Sequence, residues 1–258
     1  MACDLIKRGH RVLSITSLPN YPSGKIYPGY RQRLRQWEEI DGVQVLRLPL
    51  YPDHSRSGVR RALNFLSFAA SASLLGPALS GPADVMYVYH PPLTIGLPAR
   101  WIGLLRRVPF VYDVKDMWPE TLVATGMTQS RIVFAMLSRL AEFIYTRAAA
   151  IVVPSPGFKR NLIAKGVPAD KIHVIPNWAD EDLYRPVLPD PVLATEHGLA
   201  GRFNVVYAGN MGLAQALDTV IEAAQQLNDL PEVQFVFIGD GVDQDALRQM
   251  VRERKLDN

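Results

Sequence analysis

The sequence of 258 residues predicts an α/β protein with parallel sheets, divided into two domains. Short, continuously apolar segments typical of buried strands alternate with longer segments of helical pattern, which indicates sheets covered by helices on both faces. A proline-rich polar segment at 181–201 interrupts this alternation and predicts a linker. The predicted domains therefore cover residues 1–180 and 202–258.

In the first domain, strands are assigned to apolar runs and helices to segments whose apolar residues recur at helical spacing. Residues 5–9 look like the end of a helix, with Gly9 after its last turn. The pair Asp41-Gly42 marks a polar turn before the second strand. The predicted strands cover 11–17, 43–50, 85–89, 110–114, 151–153 and 173–175, and the predicted helices cover 59–79, 97–107, 131–149 and 157–165.

The second domain begins with an apolar run at Phe203–Ala208, which predicts a buried strand, then a tight turn of Gly209-Asn210-Met211-Gly212 and a helix from about Ala214. Such a unit aims backbone N–H groups at an anion, often a phosphate. A second strand, Val233–Ile238, ends in Gly239-Asp240-Gly241. A doubly wound domain normally opens with a strand and a glycine loop and has more strands than these. We therefore expect a chain truncated at both ends, whose first domain lacks its first strand.

The composition is that of a folded globular protein, with 48% hydrophobic and 21% charged residues. A single cysteine, Cys3, excludes an internal disulfide and a cysteine-based metal site and fits a reducing compartment. Residues 1–107 carry 14 Lys and Arg against 6 Asp and Glu, a net charge of +8, and the remainder carries 14 against 19, a net charge of −5. The basic half suggests an anionic partner such as a membrane surface, a lipid phosphate or nucleic acid, and ordinary surface charge is the alternative.

Charged residues follow the strand predicted at 110–114. In an open α/β sheet, ligands bind beyond the carboxyl ends of the strands. There Lys115 would neutralise a phosphate or a developing leaving-group charge, and Asp116 would orient a hydroxyl or hold Lys115 in place. Glu120 lies in the same segment. The same residues also suit a helix N-terminus, with Asp116 as its cap and Pro119 in its first turn.

Two more loops occupy equivalent places after predicted strands. Asn20 and Tyr21 lie in the loop at 17–24, where the prolines and glycine also serve as ordinary turn formers. His90 follows the strand at 85–89 and would bind an acceptor or carry a proton, although a histidine beside a Pro-Pro turn is more often structural.

The apolar helix predicted at 59–79 begins with the basic pair Arg60-Arg61. A helix of this kind can lie in a membrane interface with its arginines on acidic head groups. The alternative is a core helix packed on the sheet. A membrane-spanning helix is not favoured, because polar residues, Gly76 and Pro77 interrupt a segment that barely reaches the required length of about 20 residues.

Several well-known motifs are absent from the sequence. It has no G-x-G-x-x-G after a strand, no Walker A sequence, no H-E-x-x-H and no G-x-S-x-G. These absences argue against a dehydrogenase, a P-loop enzyme, a zinc protease and an α/β-hydrolase.

The order and spacing of five short motifs resemble glycosyltransferase family 4, and within it the WbuB-like polysaccharide-biosynthesis branch. Its members are retaining, nucleotide-sugar-dependent enzymes of the GT-B fold, with two Rossmann-like domains. Each motif is weak alone, and the set extends over nearly the whole chain. The motifs are Arg8-Gly9-His10-Arg11-Val12, Pro19-Asn20-Tyr21-Pro22, Val114-Lys115-Asp116-Met117-Trp118-Pro119-Glu120, Val174-Ile175-Pro176-Asn177, and Tyr207-Ala208-Gly209-Asn210-Met211-Gly212 with Gln215.

The resemblance implies a nucleotide-sugar donor, expected to be a UDP-sugar, in the second domain, and an acceptor in the first. The acceptor would be a polyprenyl-pyrophosphate-linked sugar or a glycan, on the cytoplasmic face of an anionic membrane. Neither a cofactor, nor a metal, nor nucleic acid is implied. The pyrophosphate of the donor would contact Gly209, Asn210, Gly212 and Gln215, and its base or ribose would contact Gly239 and Gly241. The acceptor would contact Asn20, Tyr21, His90 and Glu120. Lys115 and Asp116 stand where many relatives carry a His-Asp pair.

The sequence also departs from the family pattern. Asn210 and Gln215 stand where many relatives carry Arg and Lys, and no Glu-x7-Glu motif is present. We therefore expect the 258-residue chain alone to be inactive as a transferase. A UDP-sugar epimerase of similar fold and a non-catalytic remnant or binding protein are the alternatives.

Overall fold

The computed structural model describes residues 1–21, 23–53, 57–126 and 128–258. Pro22, in one of the motifs above, lies outside the described residues. The chain forms two compact units, Met1–Asn177 and Trp178–Asn258.

The first unit opens with a three-stranded sheet of order β1-β3-β2. Strands β1 and β3 are parallel, and β2 pairs antiparallel with β3. Leu46 and Leu48 of β3 are fully buried against the long helix that follows. The elements are α1 (Ala2–Lys7), β1 (Leu13–Ser17), β2 (Gln36–Ile40), β3 (Val43–Leu48) and α2 (Gly58–Leu79).

Strand β2 was not expected from the sequence. Its residues are mostly polar because it is an edge strand, and it carries Glu38 paired with Arg47 across the hairpin. The connection to β3 is the two-residue turn of Asp41 and Gly42, which have φ values of +50° and +78°. Asp-Gly is a preferred sequence for a hairpin turn that needs positive φ at both positions, so this turn was the signal for the missed strand.

The second sheet of this unit is wholly parallel, in the order β4-β5-β6-β7. Tyr112, Ile151 and Ile144 lie at the centre of its core, where the sheet meets the helices that cross from strand to strand. This confirms the predicted α/β class with parallel sheets. The elements are β4 (Met86–His90), α3 (Gly96–Arg106), β5 (Phe110–Val114), α4 (Glu120–Ala124), α5 (Arg131–Arg147), β6 (Ala150–Val153), α6 (Pro156–Ala164) and β7 (Ile172–Val174).

Helix α2 is, among the described residues, the one helix long and apolar enough to cross a membrane by length and composition alone. Only 17% of its most apolar 18-residue segment is buried inside the protein. Its exposed apolar side chains are Val59, Leu63, Leu66 and Leu74.

The second unit contains a parallel pair of strands, β8 and β9, in register from Phe203↔Val233 to Ala208↔Ile238. Both strands have the predicted bounds, but β8 is not the buried strand that the sequence predicted, since four of its six residues are exposed. The segment expected to be a linker contains a short helix, α7, which Asp190 caps by accepting hydrogen bonds from two backbone N–H groups. The elements are α7 (Pro191–Glu196), β8 (Phe203–Ala208), α8 (Asp218–Gln226), β9 (Val233–Ile238) and α9 (Gln244–Glu253).

The helix after β8 begins later than the predicted residue, Ala214. Leu213–Gln215 form a single 3₁₀ turn, and Ala216 then adopts a left-handed conformation with φ +47°. This residue ends the turn, so that α8 starts only at Asp218. The loop between strand and helix is therefore longer than the sequence suggested.

Candidate functional site

The carboxyl end of β5 carries a buried network around Asp113, which is 2% exposed. The ammonium of Lys115 lies 3.1 Å from Asp113 Oδ1. The hydroxyl of Tyr87, on the neighbouring strand β4, donates to Asp113 Oδ2 over 2.7 Å. Burial, together with this hydrogen bond to a carboxylate, raises the pKa of Tyr87 far above its usual value of 10.0. Lys115 is thus held in place by an ion pair with Asp113, which was not predicted from the sequence.

Asp116 does not hold Lys115, contrary to one of the roles expected for it. The ammonium of Lys115 pairs with Asp113 instead. The carboxylate of Asp116 accepts hydrogen bonds from Trp118 Nε1 at 3.1 Å and from Thr121 Oγ1 at 2.5 Å. Asp116 is not the cap of α4 either, since the residue at the cap position is Pro119. Its orientation is nevertheless fixed by two donors.

His90 lies at the end of β4, opposite Val114 of β5, and its side chain is fully buried. Its ring packs against Tyr112 and Trp118 at centroid distances of 5.6 and 5.9 Å. Neither ring nitrogen has a hydrogen-bond partner within the described part of the chain. Burial lowers the pKa of His90 to about 4, and the nearby carboxylate of Asp116 opposes the shift only in part. In this structure His90 is a neutral core residue and offers no surface contact to an acceptor.

The loop after β1 is ordered by its own polar groups. Asn20 Nδ2 donates to the carbonyl of Leu18 over 2.8 Å, and Tyr27 donates through its hydroxyl to the carbonyl of Tyr21 over 2.5 Å. The Tyr21 side chain is 63% exposed and reachable by a ligand. These residues follow a strand of the first sheet, whereas His90 is the last residue of a strand of the second.

Glu120, the first residue of α4, points toward the helical layer. Its Oε1 lies 2.6 Å from the ammonium of Lys165, which follows α6. The side chain is 40% exposed. The structure therefore links Glu120 to a distant helix end and not to Lys115 or Asp116, the residues close to it in sequence.

In the second unit, the two glycine loops after β8 and β9 are joined backbone to backbone. Gly209 N–H donates to the carbonyl of Ile238 at 2.9 Å, and Met211 N–H donates to that of Asp240 at 2.8 Å. A Cβ on Gly239 would lie 1.9 Å from the carbonyl oxygen of Gly209. One on Gly241 would lie 2.1 Å from that of Met211, so both glycines are required by this close approach.

Gln215 has a defined partner in this loop, since its Oε1 accepts a hydrogen bond from Gly212 N–H at 3.2 Å. Together with the bonds of Gly209 and Met211, this occupies three N–H groups that the loop would otherwise present to an anion. Asn210 is exposed, and its carbonyl accepts from the Tyr207 hydroxyl at 2.7 Å. The side chain of Asn210 is thus an exposed polar group of the loop.

No group of three or more His, Cys, Asp or Glu side chains able to hold a metal ion occurs among the described residues. Lys115, Asp116 and His90 lie at the ends of two neighbouring strands, and the glycine residues at 209–212 and 239–241 form one double loop. Asp113, Tyr87 and Lys165 were not predicted from the sequence as partners of the candidate residues. Of these, Asp113 could have been identified from the sequence, since it lies two residues before Lys115.

Comparison with known proteins agrees with this fold. The chain is 27% identical over 262 aligned residues to a protein of Escherichia coli K12 named as a colanic acid biosynthesis glycosyl transferase, WcaI, covering 98% of this chain and 64% of that protein. It is 28% identical to a Pseudomonas aeruginosa protein named as the glycosyltransferase WbjE, covering 68% of this chain and 42% of WbjE. The chain thus spans less than two thirds of the length of these relatives.

Solved structures share the fold at low sequence identity. Anabaena Alr3699/HepE, crystallised with UDP-glucose, superposes with a TM-score of 0.59 at 19% identity, over 84% of this chain and 54% of that one. The lipopolysaccharide outer core galactosyltransferase WaaB gives a TM-score of 0.50 at 15% identity, over 95% of this chain and 65% of that one. The model of the glycosyl transferase 4-like domain matches residues 1–178. The chain therefore belongs to the glycosyl transferase 4-like family, and its α/β architecture is that of GT-B glycosyltransferases.

Proposed function

We propose that this chain is part of a retaining glycosyltransferase. The enzyme would move a hexosyl or N-acetylhexosaminyl group from a UDP-sugar to a lipid-linked or glycan acceptor, in bacterial surface polysaccharide biosynthesis. The observation that carries the proposal is the match of the glycosyl transferase 4-like domain to residues 1–178, which span the whole first unit. The name of the Escherichia coli relative, which refers to colanic acid biosynthesis, supports the polysaccharide role.

The donor would bind the double glycine loop of the second unit. The loop lies at the carboxyl ends of two adjacent parallel strands, the usual position for a ligand in an open α/β sheet. Because four of its N–H groups, those of Gly209, Met211, Gly212 and Gly241, are already bonded, the diphosphate would depend on the remaining donors, among them the amide of Asn210. Gly239 and Gly241 would contribute by letting the two loops approach each other and not through contacts of their own.

In the first unit, Lys115 would serve the departing diphosphate and Asp116 would orient an acceptor hydroxyl. An ammonium group has three N–H donors, so Lys115 can bind a phosphate oxygen while it stays paired with Asp113. Asp116, held by Trp118 and Thr121, has a fixed carboxylate that suits an orienting role. Asn20 and Tyr21 would contact the acceptor, and His90 would act only as a support beneath the site.

Donor binding is testable on the chain as it stands. UDP-glucose, UDP and ATP are titrated separately against ¹⁵N-labelled protein, and backbone amide shifts are followed by NMR. We expect both uridine nucleotides to shift the amides of residues 209–215 and 239–241, with a dissociation constant near 1 mM, about −4 kcal/mol. Shifts confined to other residues, or equal responses to ATP, would contradict the proposed donor site.

A single substitution sharpens this test. Asn210→Lys places a positive charge in the exposed part of the loop, where a charge-assisted hydrogen bond to the diphosphate would tighten UDP binding about tenfold. The matched control is Asn228→Lys, which makes the same change at another exposed asparagine of the second unit, after α8. Equal affinities of the two variants for UDP would place the diphosphate elsewhere.

We also propose that the first unit lies peripherally on the cytoplasmic face of an anionic membrane, with α2 as the contact. Val59, Leu63 and Leu74 of this helix are exposed, and Arg60 is exposed beside them, a combination typical of interfacial helices. The charge of +8 over residues 1–107 supports the same placement.

Flotation with phosphatidylglycerol and phosphatidylcholine vesicles tests the membrane contact. Each arginine near an anionic surface contributes about 1 kcal/mol, so Arg60→Ala/Arg61→Ala is expected to weaken binding to phosphatidylglycerol about 30-fold. The control, Arg248→Ala/Arg252→Ala, removes the same charge from α9 of the second unit. Equal losses in both double variants would show that overall charge, and not α2, governs binding.

A further inference from the structure

Helix α3 carries an exposed apolar stripe. Leu97, Trp101, Leu104 and Leu105 are all exposed, and their spacing of three or four residues places them on one face of the helix. Another face of the same helix packs inward through Ile102, which is buried. Exposed apolar surface of this kind marks a place where a protein meets another molecule or a membrane.

This stripe adjoins the exposed apolar face of α2. The two helices approach so closely that a Cβ added to Gly76 of α2 would lie 2.6 Å from Ile102 Cδ1 of α3. Ala72 of α2 belongs to the core over β3, and Ala99 of α3 belongs to the core over β4 and β5. Because adjacent helices that bury one side against sheets expose the opposite side together, the two apolar faces form one surface. We call it the α2–α3 surface, and it consists of Val59, Leu63, Leu66, Leu74, Leu97, Trp101, Leu104 and Leu105.

The two helices carry only positive charges. Helix α2 contains Arg60 and Arg61, helix α3 contains Arg100 and Arg106, and Arg107 follows directly. The sequence of neither helix contains an aspartate or a glutamate. Of these arginines, Arg60, Arg106 and Arg107 are exposed. The α2–α3 surface therefore complements an anionic partner.

A bilayer of anionic lipid fits the α2–α3 surface better than a second copy of the chain does. In a two-fold dimer the same patch faces itself, so a dimer through this surface would bring the arginines of both copies together. An anionic bilayer instead offers hydrocarbon to the leucines and phosphate groups to the arginines. Tryptophan, such as Trp101 here, is favoured at the boundary between these two regions, because its ring is apolar and its N–H is polar.

We propose that α3 is a second membrane contact of this protein, with the side chains of Trp101, Leu104 and Leu105 at the head-group boundary of an anionic bilayer. The proposal rests on the membrane contact of α2 proposed above and extends it from one helix to two. Two adjacent helices define a plane, so the first unit would bind the membrane in one orientation.

Quenching of tryptophan fluorescence by brominated lipid tests whether Trp101 enters the bilayer. The vesicles contain phosphatidylglycerol and a phosphatidylcholine whose acyl chains carry bromine, which quenches tryptophan only at close range. The wild type is expected to be quenched, and Trp101→Phe is expected to lose most of that quenching. The matched control is Trp37→Phe on the edge strand β2, since Trp37 and Trp101 have the same exposed fraction, 46%. This control should be quenched as the wild type is.

Flotation with phosphatidylglycerol and phosphatidylcholine vesicles measures the contribution of the leucines. Leu104→Gln/Leu105→Gln replaces two exposed apolar side chains by residues that also favour a helix, and it is expected to weaken binding about tenfold. The control, Leu183→Gln/Leu188→Gln, makes the same change at exposed leucines of the second unit and should bind as the wild type does.

The outcomes distinguish α3 from α2. If the wild type floats with the vesicles, but Trp101→Phe is quenched as strongly as the wild type or Leu104→Gln/Leu105→Gln binds equally well, the proposal for α3 is overturned while the contact of α2 stands. If the wild type does not float, both contacts are overturned. If the wild type sediments as a dimer without lipid and Leu104→Gln/Leu105→Gln sediments as a monomer, the α2–α3 surface joins two copies of the chain, and the proposal is overturned as well.

Discussion

Replacing His90 should change how the stability of the first unit depends on pH. Its imidazole is fully buried against Tyr112 and Trp118, and both ring nitrogens lack partners within the described residues. The folded protein therefore keeps the ring neutral down to a pKa of about 4, against 6.5 for an ordinary histidine. Between these two values the unfolded chain binds a proton that the folded chain does not.

The sign and size of the effect follow from linkage. Stability rises with pH wherever the unfolded state binds more protons, so the free energy of unfolding falls as the pH drops from 6.5 to about 4. A difference of about 2.5 pKa units corresponds to about 3 kcal/mol at full extent. Above pH 7 the histidine contributes no pH dependence. His90→Phe should remove this loss of stability at acid pH. The free energy of unfolding of the variant minus that of the wild type should therefore increase between pH 7.5 and pH 4, by up to about 3 kcal/mol.

Urea unfolding at pH values from 7.5 to 4.5 measures the effect. Trp118 is 8% exposed, whereas the other three tryptophans are at least 46% exposed, so the change in tryptophan fluorescence mainly reports Trp118, beside His90. His173→Gln, which removes an exposed ring on β7, should keep the pH profile of the wild type. If the difference between His90→Phe and the wild type is the same at every pH, burial of a neutral imidazole is refuted. His90→Leu repeats the comparison should phenylalanine overfill the site.

Two further predictions concern the glycine loops and the Lys115 pair. Gly241→Ala brings a Cβ within 2.1 Å of the Met211 carbonyl and should destabilise the second unit by about 2 kcal/mol or more, as read from urea unfolding by circular dichroism. Gly198→Ala is the control, because its added Cβ meets no atom within 4 Å and only its φ of +65° disfavours alanine, so it should lower the free energy of unfolding by about 1 kcal/mol. Equal losses of stability in the two variants would contradict the close approach of Gly241 to Met211. Lys115→Met leaves Asp113 buried without its cation and should cost about 3 kcal/mol in the first unit, most of which Lys115→Met/Asp113→Asn should recover. A double variant as unstable as Lys115→Met would show that the pair is not coupled.

The strands were predictable where apolar runs had clear polar boundaries. The strand at 110–114 has the predicted bounds because burial on both faces leaves continuous apolar sequence. The strands Phe203–Ala208 and Val233–Ile238 also have the predicted bounds, although four of the six residues of Phe203–Ala208 are exposed. Strand Gln36–Ile40 was missed since an edge strand needs no such run, although its Asp-Gly turn was visible in the sequence. The start of α8 was missed because the left-handed Ala216 has no sequence signal.

The positions of the candidate residues were predictable from the sequence, but their pairings were not. The rule that ligands bind at carboxyl ends of strands identified Lys115, Asp116 and His90, and all three lie there. The partner of Lys115 was missed because Asp113 lies inside an apolar strand and resembled a core residue. The contact of Glu120 with Lys165 joins residues 45 positions apart, which periodicity in a single sequence cannot reveal.

The pairing with Asp113 decides what Lys115 can contribute to a transfer reaction. A free lysine would supply a full positive charge to a leaving diphosphate, but this one is balanced by a carboxylate 3.1 Å away. If Lys115 moved away, the buried carboxylate of Asp113, which is 2% exposed, would lose its cation and would keep the hydrogen bond from the Tyr87 hydroxyl. In its proposed role, Lys115 would act at least cost while it remains paired, as a fixed donor of hydrogen bonds and not as a net charge. The loop of the second unit likewise carries Asn210 and Gln215 in place of a basic pair, so it too would orient a diphosphate through hydrogen-bond donors and not through net charge.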